Sequence, residues 1–492
     1  MRDVVRYFTI VASVLAAAAA LPDTTAAQAS TPRGPSETAL RDLIRVMNVG
    51  NRDSLERFVR DRFVTSGPGA VPTEARVERL SFLSSMFGDL TLRTVDSVAP
   101  GRASGVAQSA RTEAWRRIGV FVDTASPNRI LRVMLAPAAA PDAPTRRLTD
   151  AEVVDQVRAY VDRLARRDVF SGTVLIAKGG KPLFSAAHGE ANKDFGVKNT
   201  VDTKFNLGSM NKMFTSVAIV QLVEAGKISL DDTLGKFLPA GAMRSDVLSK
   251  VRVKHLLTHT SGLGSYFSPR WDSLSRSMFR TVDDWMPLVK DETLQFEPGA
   301  RWAYSNTGML LLGKVIEVAS GKDYFEYVRE RIFKPAGMTS TDSYELDLVT
   351  KNLAVGYERE ETPAGPRYRN NIFQHVIRGG PAGGGYSTVG DLTRFAVALQ
   401  EGRLVSREGV KLLTTPKPEL SSPEYGFGFG VSEGGRIVGH SGGFPGINSQ
   451  LDIYLVDGYT VAVMANYGGA AQPVIEKTRT LLLAGRRETA AR

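Results

Sequence analysis

The sequence predicts two α+β domains in tandem, a small one followed by a large one. Helix-period stretches near residues 37–48, 53–63 and 73–87 precede extended stretches near 90–97, 103–110, 114–122 and 129–135. A break rich in alanine and proline, APAAAPDAP from Ala136 to Pro144, then reads as an interdomain linker. Beyond it, hairpin signals near both ends flank a long helical middle. That arrangement implies one antiparallel sheet built from the two ends of the domain and carrying a large helical insertion. With 42% apolar residues over 492 positions, the chain can fill two cores.

Taken in order, residues 1–29 carry the marks of a cleaved signal peptide. Arg2 and Arg6 precede an apolar run from Tyr7 to Leu21, and Ala27-Gln28-Ala29 offers small residues at a cleavage site. The run is short for a membrane span, so no stable membrane anchor is expected and the mature protein should be periplasmic or secreted. Residues 30–135 form the accessory α+β domain, opened by a polar, proline-containing leader. Helices followed by consecutive strands, with segments such as DSLERFVRDRF (53–63), resemble the NTF2-like cone fold, and a structural or dimerising accessory role is the expectation. Residues 136–147 are the linker, and 148–486 the second domain.

That second domain opens at Thr149, where Thr-Asp-Ala-Glu152 reads as a capping box for a helix to about Arg167. A hairpin follows, SGTVLIAK and KPLFSAA around Gly179-Gly180. Near the other end Ser449–Leu455 and Tyr459–Ala465 flank an Asp457-Gly458 turn, and a last helix covers about 470–485. No internal repeat is evident.

Net charge is +10, and removal of residues 1–29 leaves it there, because Arg2 and Arg6 balance Asp3 and Asp23. Basic residues are interspersed with acidic ones, so a nucleic-acid partner is not expected. The absence of cysteine excludes disulfides, thiol nucleophiles, cysteine metal sites and a lipoprotein anchor.

Three short elements can carry chemistry. Ser209 and Lys212 stand at i and i+3 at the start of a long apolar helical run that Gly226 terminates, with Gly208 allowing a sharp turn before it. A lysine amine stripped of its proton by burial can take the serine proton as attack begins. A serine at a helix start is equally an ordinary N-cap, so the pair has meaning only with its company. Tyr304 and Asn306 lie at i and i+2 before the helical run GMLLLGKVIEVAS, able to exchange a proton and to donate an amide hydrogen bond. His440-Ser-Gly442-Gly443 adjoins the penultimate strand, where a glycine pair lets backbone N–H groups approach a substrate carbonyl.

In that order, Ser-x-x-Lys, Tyr-x-Asn and His-Ser-Gly resemble the three motifs of the serine β-lactamase-related, penicillin-recognising hydrolases. The form is that of class C β-lactamases, DD-carboxypeptidases and related esterases. The segments HLLTHTSGL (255–263), FEPGARWAYSNTGMLLLG (296–313), PAGGGYSTVGDLTRFA (381–396) and GHSGGFPG (439–446) support the resemblance, which covers about 165–485. It implies an α/β (α+β) β-lactamase/transpeptidase-like domain and a serine hydrolase acting through a Ser209 acyl-enzyme, without cofactor or metal. Substrates would be small esters, amides or peptides, with cell-wall peptide among the candidates. An esterase or D-Ala-type carboxypeptidase is the leading expectation; a β-lactamase and an inactive penicillin- or peptide-binding homologue are the alternatives. The roles that carry over are Ser209 as nucleophile, Lys212 as its proton partner, Tyr304 as general base and Asn306 as substrate positioner. Ser209 and Gly443 N–H groups would form the oxyanion hole. No Glu-x-x-Leu-Asn element is present, which supports a Tyr/Lys base.

His440 stands where other members have lysine. A histidine titrating near its reference of ~6.5 would be mostly neutral at pH 7.5. Uncharged esters should then be preferred over carboxylate-bearing substrates, with carboxylates gaining as pH falls; alternatively His440 simply bonds within the site. Three rival readings are weaker. Gly439-His-Ser-Gly-Gly443 fits the nucleophile elbow but lacks a strand-to-helix turn. His255 and His259 are spaced as a metal pair without an acidic partner, and read as structural, with His259 bracing a loop. The glycine run 379–385 lacks a phosphate-loop context and reads as a loop at the mouth of the site.

Overall fold

The computed structural model describes residues 34–65, 71–126, 128–362 and 365–486. The proposed signal peptide lies outside them. Among the described residues, no helix is long and apolar enough to cross a membrane. The described residues divide into two compact units, 154–475 and 34–153 with 476–486.

In the smaller unit, α1 (Pro35–Val49) places Leu40, Leu43, Ile44 and Met47 on one face, the i, i+3, i+4, i+7 pattern of a helix that covers a core. It stops at Gly50, whose φ of 67° is left-handed. Asn51 then caps α2 (Arg52–Arg62) by accepting the Ser54 N–H at 2.9 Å. After α3 (Thr73–Phe87) come β1 (Leu90–Ala99), β2 (Arg102–Ser109), β3 (Trp115–Val122) and β4 (Ile130–Pro137), antiparallel in the order β1-β2-β3-β4. Register shifts in β1 between Leu92 and Thr94 and between Val95 and Ser97 mark bulges, which curve a sheet. Leu55, Val59, Leu80 and Phe87 share a core with Ala103, Ala107, Ile118 and Val120. β4 runs through Pro137, opposite Arg116, two residues into the segment read as linker.

The capping box is present. Glu152 N–H donates to Thr149 Oγ1 at 3.2 Å and Thr149 N–H to Glu152 Oε2 at 2.8 Å, starting α4 (Asp150–Arg166). In the larger unit, β5 (Gly172–Lys178) and β6 (Lys181–His188) turn at Gly179 and Gly180, both at positive φ. The chain then builds helices, of which three bear on the site: α5 (Asn211–Glu224), α6 (Asn306–Ser320) and α7 (Val389–Gln400). It returns as β7 (Gly430–Ser432), β8 (Ile437–Phe444), β9 (Ile447–Tyr454) and β10 (Tyr459–Ala465), and α8 (Ala471–Leu482) follows. The six-stranded antiparallel sheet runs β7-β8-β9-β10-β5-β6, so the last strand pairs with the first (Val461 opposite Ile176). The two ends of this unit thus form one sheet.

α5 is buried on nearly every side, with apolar Met213, Phe214, Val217, Ile219, Val220 and Leu222 enclosed along with polar Asn211, Lys212, Thr215 and Ser216. α6 packs along it. Opposite, β8 meets the turn before α5 backbone to backbone. A Cβ on Gly442 would lie 1.9 Å from the Leu207 carbonyl oxygen, and one on Gly208 would lie 2.8 Å from Gly443 N. Gly208 also has φ of 51°.

The contact is testable. Gly442→Ala should destabilise the protein by about 1–3 kcal/mol, since overpacking must move one backbone off the other. Urea denaturation and ester hydrolysis should both register the change; a variant with wild-type stability and turnover would show that β8 can shift freely.

Candidate active site

Ser209 sits in a single 3₁₀ turn, Gly208–Met210, and α5 begins at Asn211 rather than at the serine. The i, i+3 geometry survives this. Lys212 Nζ lies 3.0 Å from Ser209 Oγ, and the lysine is wholly buried. Its other partner is the Ala382 carbonyl, to which it donates. Neither partner is an anion, and burial holds the amine well below the usual lysine range. A neutral amine keeps a lone pair for the serine proton.

Ala382 belongs to the glycine run read from sequence as a loop at the mouth of the site. The structure places that run beneath the catalytic turn instead. Gly385 O accepts Leu207 N–H at 2.7 Å, Gly384 N–H donates to Gly208 O at 3.2 Å, and Asn211 Nδ2 donates to Gly380 O at 3.2 Å. A Cβ on Gly383 would come within 2.8 Å of Gly208 O. Glycine is needed because backbones pack directly on one another. Further along, Thr215 Oγ1 donates to Pro381 O at 2.8 Å.

Tyr304 ends the loop before α6, which Ser305 caps by accepting Gly308 N–H at 2.8 Å. The Tyr304 ring faces Lys212 Nζ at 4.9 Å. Burial raises the phenol above its ordinary pKa, and its hydrogen bond with Ser209 pulls the other way. Asn306 opens α6; its Nδ2 donates to Ser265 Oγ at 3.2 Å, while its Oδ1 is buried without a protein partner. Gly443, on β8, stands beside the Ser209 turn through the contact at Gly208. Phe267 and Phe444, ring centroids 6.3 Å apart, are half-buried in the same region, behind which Trp271 and Trp285 stack at 5.2 Å.

His440 is bonded within the site, the second of the two readings of this position. It is buried, and both ring nitrogens have protein partners: Nδ1 the Ser441 carbonyl at 2.6 Å and Nε2 the Tyr425 hydroxyl at 2.9 Å. Burial pushes its pKa down to about 3. It does not approach 6.5, so it stays neutral through the pH range in which a charge for carboxylates was expected to appear. Ser441 lies inside β8, paired with Gln450, which rules out a nucleophile elbow there.

His259 braces a loop, as read. Held at φ 59°, it accepts Ser305 N–H on Nδ1 at 3.1 Å, and its ring leans on Tyr304 at 4.4 Å. His255 instead accepts Arg252 N–H on Nδ1 at 3.2 Å, so the two histidines do not converge. Sequence reasoning missed Tyr425 and Ser265. A tyrosine opening the aromatic–glycine alternation Tyr425-Gly-Phe-Gly-Phe429, shortly before the His440 strand, was the available signal.

A family model described as Beta-lactamase matches residues 155–486. The chain belongs to that family, and is a serine hydrolase of the acyl-transfer kind. It is 33% identical over 329 residues to "Penicillin-binding protein 4*" of Bacillus subtilis (strain 168), covering 63% of this chain and 71% of the relative. Among solved structures, the penicillin binding protein from Bacillus halodurans is similar at TM-score 0.59 and 30% identity, covering 68% of this chain and 99% of that one. A D-stereospecific amidohydrolase from Streptomyces sp. is similar at TM-score 0.54 and 27% identity, covering 67% and 98%.

The histidines set an acid limit. His255 and His375 are held at about 4 and His440 at about 3, chiefly by burial, and His259 lies well below 6.5 for the same first cause. Because the folded values are depressed, the unfolded chain binds more protons once pH drops below ~6.5. Their stabilisation is complete above that pH and lost as pH falls towards 4. The urea midpoint should therefore decline between pH 7 and pH 5, and less steeply in His440→Gln. A midpoint that is flat or rises on acidification would contradict this burial.

Proposed function

We propose that the protein is an exported hydrolase that cleaves uncharged esters or amides through an acyl-enzyme on Ser209. The supporting observation is the buried Lys212 amine, 3.0 Å from Ser209 Oγ and without a carboxylate partner among the described residues. In acylation the Ser209 proton passes to the Lys212 lone pair as Oγ bonds to the substrate carbonyl carbon. The oxyanion forms against the Ser209 and Gly443 N–H groups, donors worth ~10²–10³ in turnover. A phenol raised by burial is protonated at neutral pH. Tyr304 thus starts as a proton donor, passing a proton to the departing alkoxide or amine and regaining one from Lys212. Deacylation reverses the path, with water in place of the leaving group.

Neutral His440 supports uncharged substrates over β-lactams, whose carboxylate a cation would hold. The aromatic pair Phe267 and Phe444 suits an apolar group on the substrate. The similarity to an amidohydrolase named as D-stereospecific favours D-configured amides among the amide candidates. The features of residues 1–29 support export to the periplasm or beyond.

Intact-mass detection of the acyl-enzyme over a panel of p-nitrophenyl esters, D-amino-acid amides, peptidyl-D-Ala and a cephalosporin tests the reading. Ser209→Ala should lose both the adduct and turnover, and Lys212→Ala nearly as much, because members of one proton-transfer unit are not additive. Wild type should hydrolyse p-nitrophenyl butyrate faster than a cephalosporin, with a rate ratio that is flat from pH 5 to pH 8. Labelling that persists in Ser209→Ala, or a cephalosporin turned over far faster than the ester, would overturn it.

A further inference from the structure

The buried hydroxyl of Tyr425 lies between two histidines, 2.9 Å from His440 Nε2 and 3.3 Å from His259 Nε2. The direction of every bond in this group follows from its two ends. At one end Ser305 N–H can only donate, so His259 Nδ1 is an acceptor and its Nε2 carries the hydrogen. At the other end the Ser441 carbonyl can only accept, so His440 Nδ1 carries the hydrogen and its Nε2 has the lone pair. Tyr425 must then accept from His259 and donate to His440. Both ends demand the same assignment, with both imidazoles neutral.

The backbone holds this hydroxyl where it is needed. Gly428 N–H donates to Leu257 O at 3.2 Å, and Ser422 Oγ bridges Thr258 O at 3.3 Å and Tyr425 O at 3.1 Å. The Tyr425 segment is therefore tied to the residues that lead into His259. Gly428, at φ 74°, lies so close to α5 that a Cβ there would fall 1.9 Å from Ser216 Oγ. The segment that carries Tyr425 thus lies against the helix that carries Lys212 as well as the residues leading to His259.

We infer that Tyr425 is a positioning residue of the acyl-transfer site. Its hydroxyl joins His259, under the Tyr304–Asn306 loop, to His440 on β8 in a one-way hydrogen-bond chain that keeps the Tyr304 phenol in register with Ser209. Tyr304 feels the chain through His259, which carries Ser305 N–H and supports the Tyr304 ring face. Without the Tyr425 hydroxyl, His259 Nε2–H and His440 Nε2 lose their shared partner, and the loop and β8 are no longer linked by this path. The inference rests on the reading of Ser209 as nucleophile.

The test is Tyr425→Phe in the full chain, which keeps the ring and removes only the oxygen. With active sites counted by fluorophosphonate labelling, kcat on p-nitrophenyl butyrate should fall about 10²-fold, the scale of a small misplacement of reacting groups, while KM changes little. Imidazole ¹⁵N spectra at pH 7 read the chain independently of activity. Wild type should show His259 as the Nε2–H tautomer and His440 as the Nδ1–H tautomer, and in the variant the His440 Nε2 resonance should shift as its bond is lost. A variant with wild-type kcat overturns the inference, as does a wild-type spectrum with the opposite tautomer at either histidine. Should the variant not fold, the wild-type spectrum decides. Failure of the Ser209 reading would appear separately, as activity retained by Ser209→Ala.

Discussion

The larger unit is organised around the enclosure of one amine. Lys212 Nζ is buried between the Ser209 hydroxyl and the Ala382 carbonyl, with no carboxylate paired to it among the described residues, and burial disfavours its charge. Enclosing it takes a helix buried on nearly every side and a loop of small residues that meets the catalytic turn by backbone. α5 supplies the first and the glycine run 379–385 the second. A side chain in that run, at Gly383 for instance, would push the loop off Gly208.

Opposite the loop, the sheet edge makes the second close approach. Gly442 and Gly443 lie on Leu207 and Gly208 with no side chain between them, and Ser449 Oγ donates to Leu207 O at 2.8 Å from the neighbouring strand. The catalytic turn is thus clasped between a loop and a strand that both contact it by backbone. Backbone contacts leave little room for rotamer adjustment, and a nucleophile that must meet both a base and an oxyanion site needs such a fixed position.

Polarity in the site is confined to neutral groups. Burial lowers the histidines and the Lys212 amine and raises the Tyr304 and Tyr425 phenols, so each group is shifted towards its uncharged form. Such an environment suits chemistry in which charge appears only in the transition state, since a preorganised dipole acts most strongly where no resting charge competes. It also suits a histidine that carries no charge at this position. Here the residue serves as a hydrogen-bonded strut between Tyr425 and Ser441.

The sequence by itself determined whatever depends on neighbours along the chain. The Thr149–Glu152 cap, the turns at Gly179-Gly180 and Asp457-Gly458, the helix and strand order of both units and the Ser209–Lys212 pairing all follow from residues a few positions apart. Tyr304, Asn306 and the glycine pair are singled out by the family resemblance that the ordered motifs carry, since spacing alone gives none of them a role. Tertiary structure decided what depends on burial and on distant partners. Lys212 and Ala382 are 170 positions apart, and His259 and Tyr425 are 166. No local pattern announces such a pair. The same holds for His440: its reference pKa belongs to an imidazole in water, and only the folded chain shows that water is replaced by Tyr425, Ser441 and the wall around Lys212.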